Sequence, residues 1–161
     1  MKAFILLVVI CLVALMHHAA GYSSGAPTDA CEDLVPRHGV PARKDPCPYV
    51  ITVSKREIKV GEPIKVTITG KKGEKFKGFM CQAHEKGRVG DFQEADEVQI
   101  VNCSPGKQDA VTHINADKRS KVEFTWVASE KLDKPLTFVC TVAKDGGTFW
   151  VAEKSEPISV K

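Results

Sequence analysis

The sequence lacks the short motifs of several common catalytic sites. It contains no HExxH zinc-protease motif, no P-loop and no glycine-rich dinucleotide fingerprint. Its cysteines never occur as CxxC, the spacing that is typical of zinc sites. The carboxylates are scattered, and no pair of them can be assigned to acid–base chemistry. We therefore expect neither an enzyme nor a bound cofactor.

The sequence also lacks an apolar run long enough to span a bilayer, which takes about 20 residues. Its one extended apolar stretch, residues 4–16, follows Lys2 and precedes the small residues Ala19, Ala20 and Gly21. This order predicts a secretory signal peptide over residues 1–21, cleaved before Tyr22. We accordingly expect a secreted, extracellular protein with no membrane span.

A strong excess of one charge is missing as well. The formal net charge of +3 falls to +2 when Lys2 leaves with the leader. Nucleic-acid-binding domains are typically far more basic, so we expect no nucleic-acid partner.

Removal of Cys11 leaves five cysteines in an oxidising compartment, where disulfides form. Because five is odd, at least one thiol has no partner within the chain.

Helical periodicity is rare, whereas alternation of apolar and polar residues is frequent. Ile64, Val66 and Ile68 alternate with polar residues, as in a strand with one buried face. In the same way, the sequence predicts strands at 49–53, 64–68, 78–83, 98–101, 122–126, 136–142, 148–152 and 158–160, and one weak helix at 91–98. Short strands separated by glycine turns favour an all-β, antiparallel sandwich. We expect one domain over 22–161, with a proline-rich arm at 22–48 and the sandwich at 49–161.

Four lysines cluster in the segment KKGEKFK around a predicted turn. They are Lys71, Lys72, Lys75 and Lys77, with Phe76 among them as a predicted exposed aromatic. Such a cluster raises the local potential and is a candidate site for anionic polymers. The alternative is a solvated turn whose lysines discourage edge pairing between sheets. Two histidines, His38 and His113, are expected to form hydrogen bonds rather than to bind a metal.

Six short motifs, in order, resemble those of the reeler domain, an extracellular β-sandwich module. They are DACEDLVPRHG at 29–39, FKGFMCQA at 76–83, VNC at 101–103, VTHIN at 111–115, VEFTW at 122–126 and FWV at 149–151. The stand-alone form behind GAPTDACEDL is most similar to the secreted insect defence proteins of the noduler-like group. The resemblance implies an immunoglobulin-like sandwich and a bond between Cys31 and Cys103 that pins the arm.

The other three cysteines depart from the family pattern. Cys81 and Cys140 each share the parity of apolar neighbours, so both are expected to face the core. A bond between them and two buried free thiols both remain open. Cys47 would then be the odd thiol, which leaves the protein a monomer or a Cys47-linked dimer.

The resemblance further implies a role in innate immunity, in haemolymph if the source is an insect. The expected partners are microbial envelope components such as lipopolysaccharide, lipoteichoic acid or β-glucan, with haemocyte aggregation or killing as a consequence. An alternative is an adhesion module that binds extracellular matrix or glycosaminoglycan. Reeler domains also occur fused to ferric-chelate reductases, but the redox chemistry of those proteins resides in haem-bearing segments.

Overall fold

The computed structural model describes residues 22–161, and the predicted leader lies outside them. Eleven strands run in the order β1 Tyr49–Val53, β2 Glu57–Ile58, β3 Pro63–Gly70, β4 Gly78–His84, β5 Asp91–Phe92, β6 Val98–Val101, β7 Ala110–His113, β8 Lys121–Val127, β9 Thr137–Asp145, β10 Thr148–Lys154 and β11 Ser159–Val160. Short 3₁₀ turns occur at Thr28–Ala30 and Lys71–Gly73. Among the described residues, no helix is long and apolar enough to cross a membrane.

One layer is a four-stranded antiparallel sheet in the order β1-β3-β8-β5. The apolar positions of β3 pair with those of β8, for example Val66 with Phe124 and Ile64 with Trp126. These side chains are buried, whereas the alternating partners face solvent. The period-two pattern of the sequence therefore sets the buried face of this layer.

The second layer is a five-stranded antiparallel sheet in the order β10-β9-β4-β7-β6. Phe79 and Cys81 on β4, together with Phe138 and Cys140 on β9, point from this sheet into the main core. Cys81 lies directly opposite Cys140 in the strand register, and the two are joined by a disulfide. The expected core-facing parity of both cysteines is confirmed, and the all-β sandwich is confirmed with it.

Strand β4 is buried on both faces, although a strand at the surface of a two-layer sandwich usually exposes its outer face. Its outward-facing Met80 packs with Val139 and Ala110 against Ala30 and Leu34 of the N-terminal segment. Residues 22–48, called the arm below, contain no strand and contribute this cover for the outer face. A second, smaller core therefore forms outside the sandwich.

The predicted helix at 91–98 is wrong. Asp91 and Phe92 instead form β5 and pair with Val127 and Trp126 of β8. Phe92 is fully buried, and burial of its ring in the core overrides the weak local helix signal. The exposed residues 93–97 form the turn that leads into β6.

Candidate binding site

The arm is fastened to the five-stranded sheet along its length. The Cys31–Cys103 disulfide fixes its middle, as the resemblance implied. Gln82, fully buried on β4, donates a hydrogen bond to the Cys31 carbonyl at 2.9 Å. The Thr141 hydroxyl on β9 donates to the Leu34 carbonyl at 2.7 Å. These bonds satisfy polar groups that the arm covers, so the arm has a defined position.

An ion pair between Arg88 and the buried Asp109 lies next to the disulfide. The Arg88 guanidinium donates to the Asp109 carboxylate at 3.2 Å and to the Cys31 carbonyl at 3.1 Å. Asp109 is 3% exposed and also accepts the backbone N–H groups of Cys103 and Ser104. Both oxygens of this carboxylate therefore accept hydrogen bonds, and they connect Arg88 with the backbone around Cys103.

The lysine-rich turn forms one wall of a surface hollow, the lysine cleft, with a volume of about 350 Å³. Strand β9 and the loop before β8 supply the rest of it. The lining residues are Lys72, Gly73, Glu74, Lys75, Lys77, Lys118, Lys144 and Asp145. Lys144 pairs with Glu74 at 3.0 Å. Five lysines against two carboxylates leave a local excess of positive charge.

Phe76 is not the exposed aromatic that the sequence suggested. It is fully buried and packs edge-to-face against Tyr49, with ring centroids 5.4 Å apart. The Phe76 backbone pairs with Arg119, and the Tyr49 hydroxyl donates to the Lys75 carbonyl at 3.0 Å. Burial raises the pKa of Tyr49 to about 12, so it remains a donor. Phe76 therefore anchors the turn instead of contacting a ligand.

The structure brings together three of the four predicted lysines. Lys72, Lys75 and Lys77 line the cleft, whereas Lys71 donates to the Cys47 carbonyl at 2.9 Å and lies outside it. Lys118 and Lys144 were missed, because they are distant in sequence and reach the turn only through strand pairing. The bridge between Phe76 and Arg119 places Lys118 beside the lysine-rich turn. Strand β9 ends at Asp145, which brings Lys144 to the same turn.

A second cavity, the arm cavity, lies between the arm and the outer face of the five-stranded sheet. Its volume is about 230 Å³ and its lining is mainly apolar. The lining residues are Tyr22, Ser23, Ala26, Pro27, Ala30, Leu34, Pro36, His38, Lys77, Gly78, Phe79, Met80, His113, Ala116, Thr141, Ala143, Asp145 and Gly146. Lys77 and Asp145 line both this cavity and the lysine cleft, so the two are adjacent.

The two histidines of the arm cavity have different surroundings. The backbone N–H of Phe79 donates to Nδ1 of His113 at 3.1 Å, and Nε2 of His113 contacts the Tyr22 carbonyl at 3.0 Å. His113 thus forms hydrogen bonds, as expected. His38 is 8% exposed, and its Nδ1 has no partner of standard geometry, although the Gly146 backbone favours its protonated form. Burial is the larger effect and lowers the pKa of His38.

Metal-binding geometry is missing from residues 22–161, where no group of three or more His, Cys, Asp or Glu side chains is placed to hold an ion. Cys47 is the free cysteine of this part of the chain and is half-buried.

Residues 21–25, GYSSG, formally match the serine-hydrolase motif GxSxG. Ser23, however, lies in an exposed turn and not at the strand-to-helix elbow that the motif requires.

Comparisons with known proteins place this arrangement in a family. A family model described as the Reeler domain matches residues 29–161. The chain belongs to the reeler family. It is 41% identical to "Putative defense protein Hdd11" of Hyphantria cunea, covering 88% of this chain and 90% of that protein. It is 34% identical to "Defense protein l(2)34Fc" of Drosophila melanogaster, covering 98% and 99% of the two chains.

A solved reeler structure supports the fold alone. The human F-spondin reeler domain superimposes with a TM-score of 0.61 at 17% identity, covering 76% of this chain and 94% of that one. The expected resemblance to the reeler family is therefore confirmed by the family model and the relatives, and the expected fold is confirmed by the solved structure.

Proposed function

We propose that this reeler protein is a secreted defence protein that binds phosphate-bearing microbial surface components in the lysine cleft. The observation that carries the proposal is the convergence of five lysines from three parts of the chain on one hollow. The names of the relatives in Hyphantria cunea and Drosophila melanogaster support the defence role. The mature protein would begin at Tyr22 and fold as one unit over 22–161, which N-terminal sequencing of secreted material tests.

The cleft is suited to a repeating anion. Lys72, Lys75 and Lys118 are exposed and make no ion pair among the described residues. Each exposed contact with a phosphate is weak, since solvent screens it. A polymer that presents many phosphates can rebind after each dissociation, so its overall affinity exceeds that of a single contact. Haemocyte aggregation or killing would follow from such binding and needs no catalytic residue.

The test compares two triple variants with the same change in charge. The first variant replaces Lys72, Lys75 and Lys118 by Gln. The control replaces Lys86, Lys107 and Lys131, which are exposed and lie outside the cleft. Binding to immobilised lipopolysaccharide and lipoteichoic acid is measured by surface plasmon resonance. The first variant should lose at least tenfold in affinity, whereas the control should remain within about twofold of wild type.

The salt dependence of binding and competition between ligands test the proposal independently of the variants. The Debye length falls from about 10 Å at 0.1 M to about 3 Å at 1 M, so binding should weaken steeply over this range. Equal losses in both triple variants would show that net charge acts and that the cleft does not. Displacement by heparin at concentrations where bacterial envelope material fails to compete would favour the alternative, a matrix-binding adhesion module.

A further inference from the structure

We propose that the arm cavity binds the acyl chain of a microbial amphiphile whose phosphate lies in the lysine cleft. This inference rests on the proposed function and extends it, because it assigns a site to the apolar part of the ligand. The cleft and the cavity share Lys77 and Asp145, so a cationic hollow and an apolar cavity lie next to each other.

The size and lining of the arm cavity fit a hydrocarbon chain. Pro27, Leu34, Met80 and Ala143 give it apolar walls, and its volume is about 230 Å³. An apolar cavity of about 150 Å³ already accepts benzene. The cavity is therefore large enough for a segment of alkyl chain.

The cavity is held open by bonds that do not depend on a ligand. The Cys31–Cys103 disulfide and the hydrogen bond from Thr141 to the Leu34 carbonyl fix the arm over the sheet. The contact of His113 with the Tyr22 carbonyl fixes the start of the arm. A preformed cavity avoids the entropy cost of ordering its walls when a chain enters.

His38 adds a polar ring to the mainly apolar wall of the arm cavity. His38 lines the cavity, is 8% exposed, and leaves Nδ1 without a partner of standard geometry. An unpaired buried polar group is costly. An acyl glycerol phosphate has an ester group between its phosphate and its chain, and the His38 ring is a polar part of the cavity wall that can face this group.

The experiment uses the mature protein and 1-acyl-glycerol 3-phosphates with chains of six, eight and ten carbons, below their micellar concentrations. Isothermal titration calorimetry measures each dissociation constant, with glycerol 3-phosphate as the headgroup alone. Affinity should rise about fourfold for each added methylene until the cavity is filled. Deacylated lipoteichoic acid, which carries phosphate and no chain, reports on the lysine cleft separately.

Two matched variants locate the chain. Ala116 is half-buried in a loop that lines the cavity, and Ala116→Phe should fill it and abolish the dependence on chain length. Ala95 is exposed and lines neither cavity, so Ala95→Phe should behave as wild type. Both variants should keep the wild-type affinity for deacylated lipoteichoic acid.

A photoreactive diazirine at the end of the chain gives a readout on the unaltered protein. It should label peptides from residues 22–37 and 78–86. A flat chain-length series, the same series in Ala116→Phe as in wild type, or labelling elsewhere would overturn this inference. Failure of the proposed function is a different result: deacylated lipoteichoic acid would then bind without dependence on Lys72, Lys75 and Lys118, or would not bind.

Discussion

At the scale of single residues, Asp109 connects the arm to the sandwich. It accepts the N–H groups of Cys103 and Ser104 and pairs with Arg88 beneath the covered surface. Asp109→Ala would remove the carboxylate that pairs with Arg88 and would leave the N–H groups of Cys103 and Ser104 without their acceptor, which typically costs about 1–3 kcal/mol. Chemical denaturation should show a loss of this size.

The matched control for Asp109 is Glu123→Ala. Glu123 pairs with Lys65 at 2.8 Å on the exposed face of β8. Solvent screens that pair, so its removal should change the free energy of unfolding far less. Similar losses in the two variants would show that the interactions of Asp109 contribute no more to the free energy of unfolding than an exposed ion pair does.

A second prediction at the scale of single residues concerns the pH dependence of Cys47 alkylation. Burial raises the pKa of the Cys47 thiol above its usual range. Only the thiolate reacts with alkylating reagents, so labelling of native protein should be slow at pH 7 and still increasing above pH 9. Urea-unfolded protein should label with the ordinary thiol midpoint. The assay follows incorporation of iodoacetamide by mass spectrometry.

The control is Cys47→Ser, which should label in neither state without a reductant because the other four cysteines of residues 22–161 are bonded. Two labelled thiols in native protein would contradict the Cys81–Cys140 bond. A disulfide-linked dimer that persists in Cys47→Ser would contradict the assignment of Cys47 as the odd thiol.

At the scale of elements, the turn before β5 depends on Gly90. It has φ +65°, and a Cβ atom there would collide with the Trp126 indole. That ring cannot move freely, since its Nε1 donates to the Val89 carbonyl at 3.1 Å. Gly90→Ala combines backbone strain of about 1–2 kcal/mol with overpacking of about 1–3 kcal/mol. It should therefore destabilise the protein by roughly 2–5 kcal/mol in thermal or urea unfolding.

Gly61→Ala separates the two causes. Gly61 has φ +77°, but nothing lies within 4 Å of an added Cβ. This variant should show only the cost of the backbone conformation, about 1–2 kcal/mol. If Gly61→Ala were as destabilising as Gly90→Ala, contact with Trp126 would not be the cause of the larger loss.

Most strands could be predicted because their burial follows local alternation. β1 and β6 have the predicted bounds, and β3 and β8 extend the prediction by one or two residues at each end. Three short strands, β2, β5 and β7, could not be predicted in this way. β5 is defined by pairing with β8, and β7 is buried at all four positions because the arm covers its second face.

The candidate site was only partly predictable, for a related reason. The lysines at 72, 75 and 77 are adjacent in sequence, and they do lie together. Lys118 and Lys144 join them only after β4, β8 and β9 have paired, which no local pattern encodes. The arm cavity depends on contacts between the arm and β4, β7 and β9, so it was not predictable from the sequence alone.

At the scale of the whole molecule, the arm disulfide joins residues separated by 72 positions. The chain-entropy model gives such a bond about 4 kcal/mol of stabilisation. A double variant, Cys31→Ser with Cys103→Ser, should lose stability of this order in urea denaturation. It should also free the arm, so trypsin should cut after Arg37, Arg43 and Lys44 much faster than in wild type.

Cys47→Ser serves as the control for the loss of a cysteine without the loss of a bond, and its digestion rate should match wild type. A double variant whose arm resists trypsin as well as the wild-type arm would show that hydrogen bonds and packing alone hold it. The arm cavity would then exist without its covalent fastening.

The cover of one sheet by the arm leaves the opposite sheet with a bare outer face. There Lys65, Thr67, Lys121 and Glu123 alternate outward along β3 and β8, on the far side of the sandwich from the arm. A dye or a tether coupled to an engineered cysteine at Lys65, which pairs with Thr125 away from the lysine-rich turn, would therefore leave both ends of the proposed site accessible. Coupling through lysine amines at random would modify the cleft itself. Attachment chemistry thus determines whether an immobilised sample of this protein presents the side proposed to bind ligand.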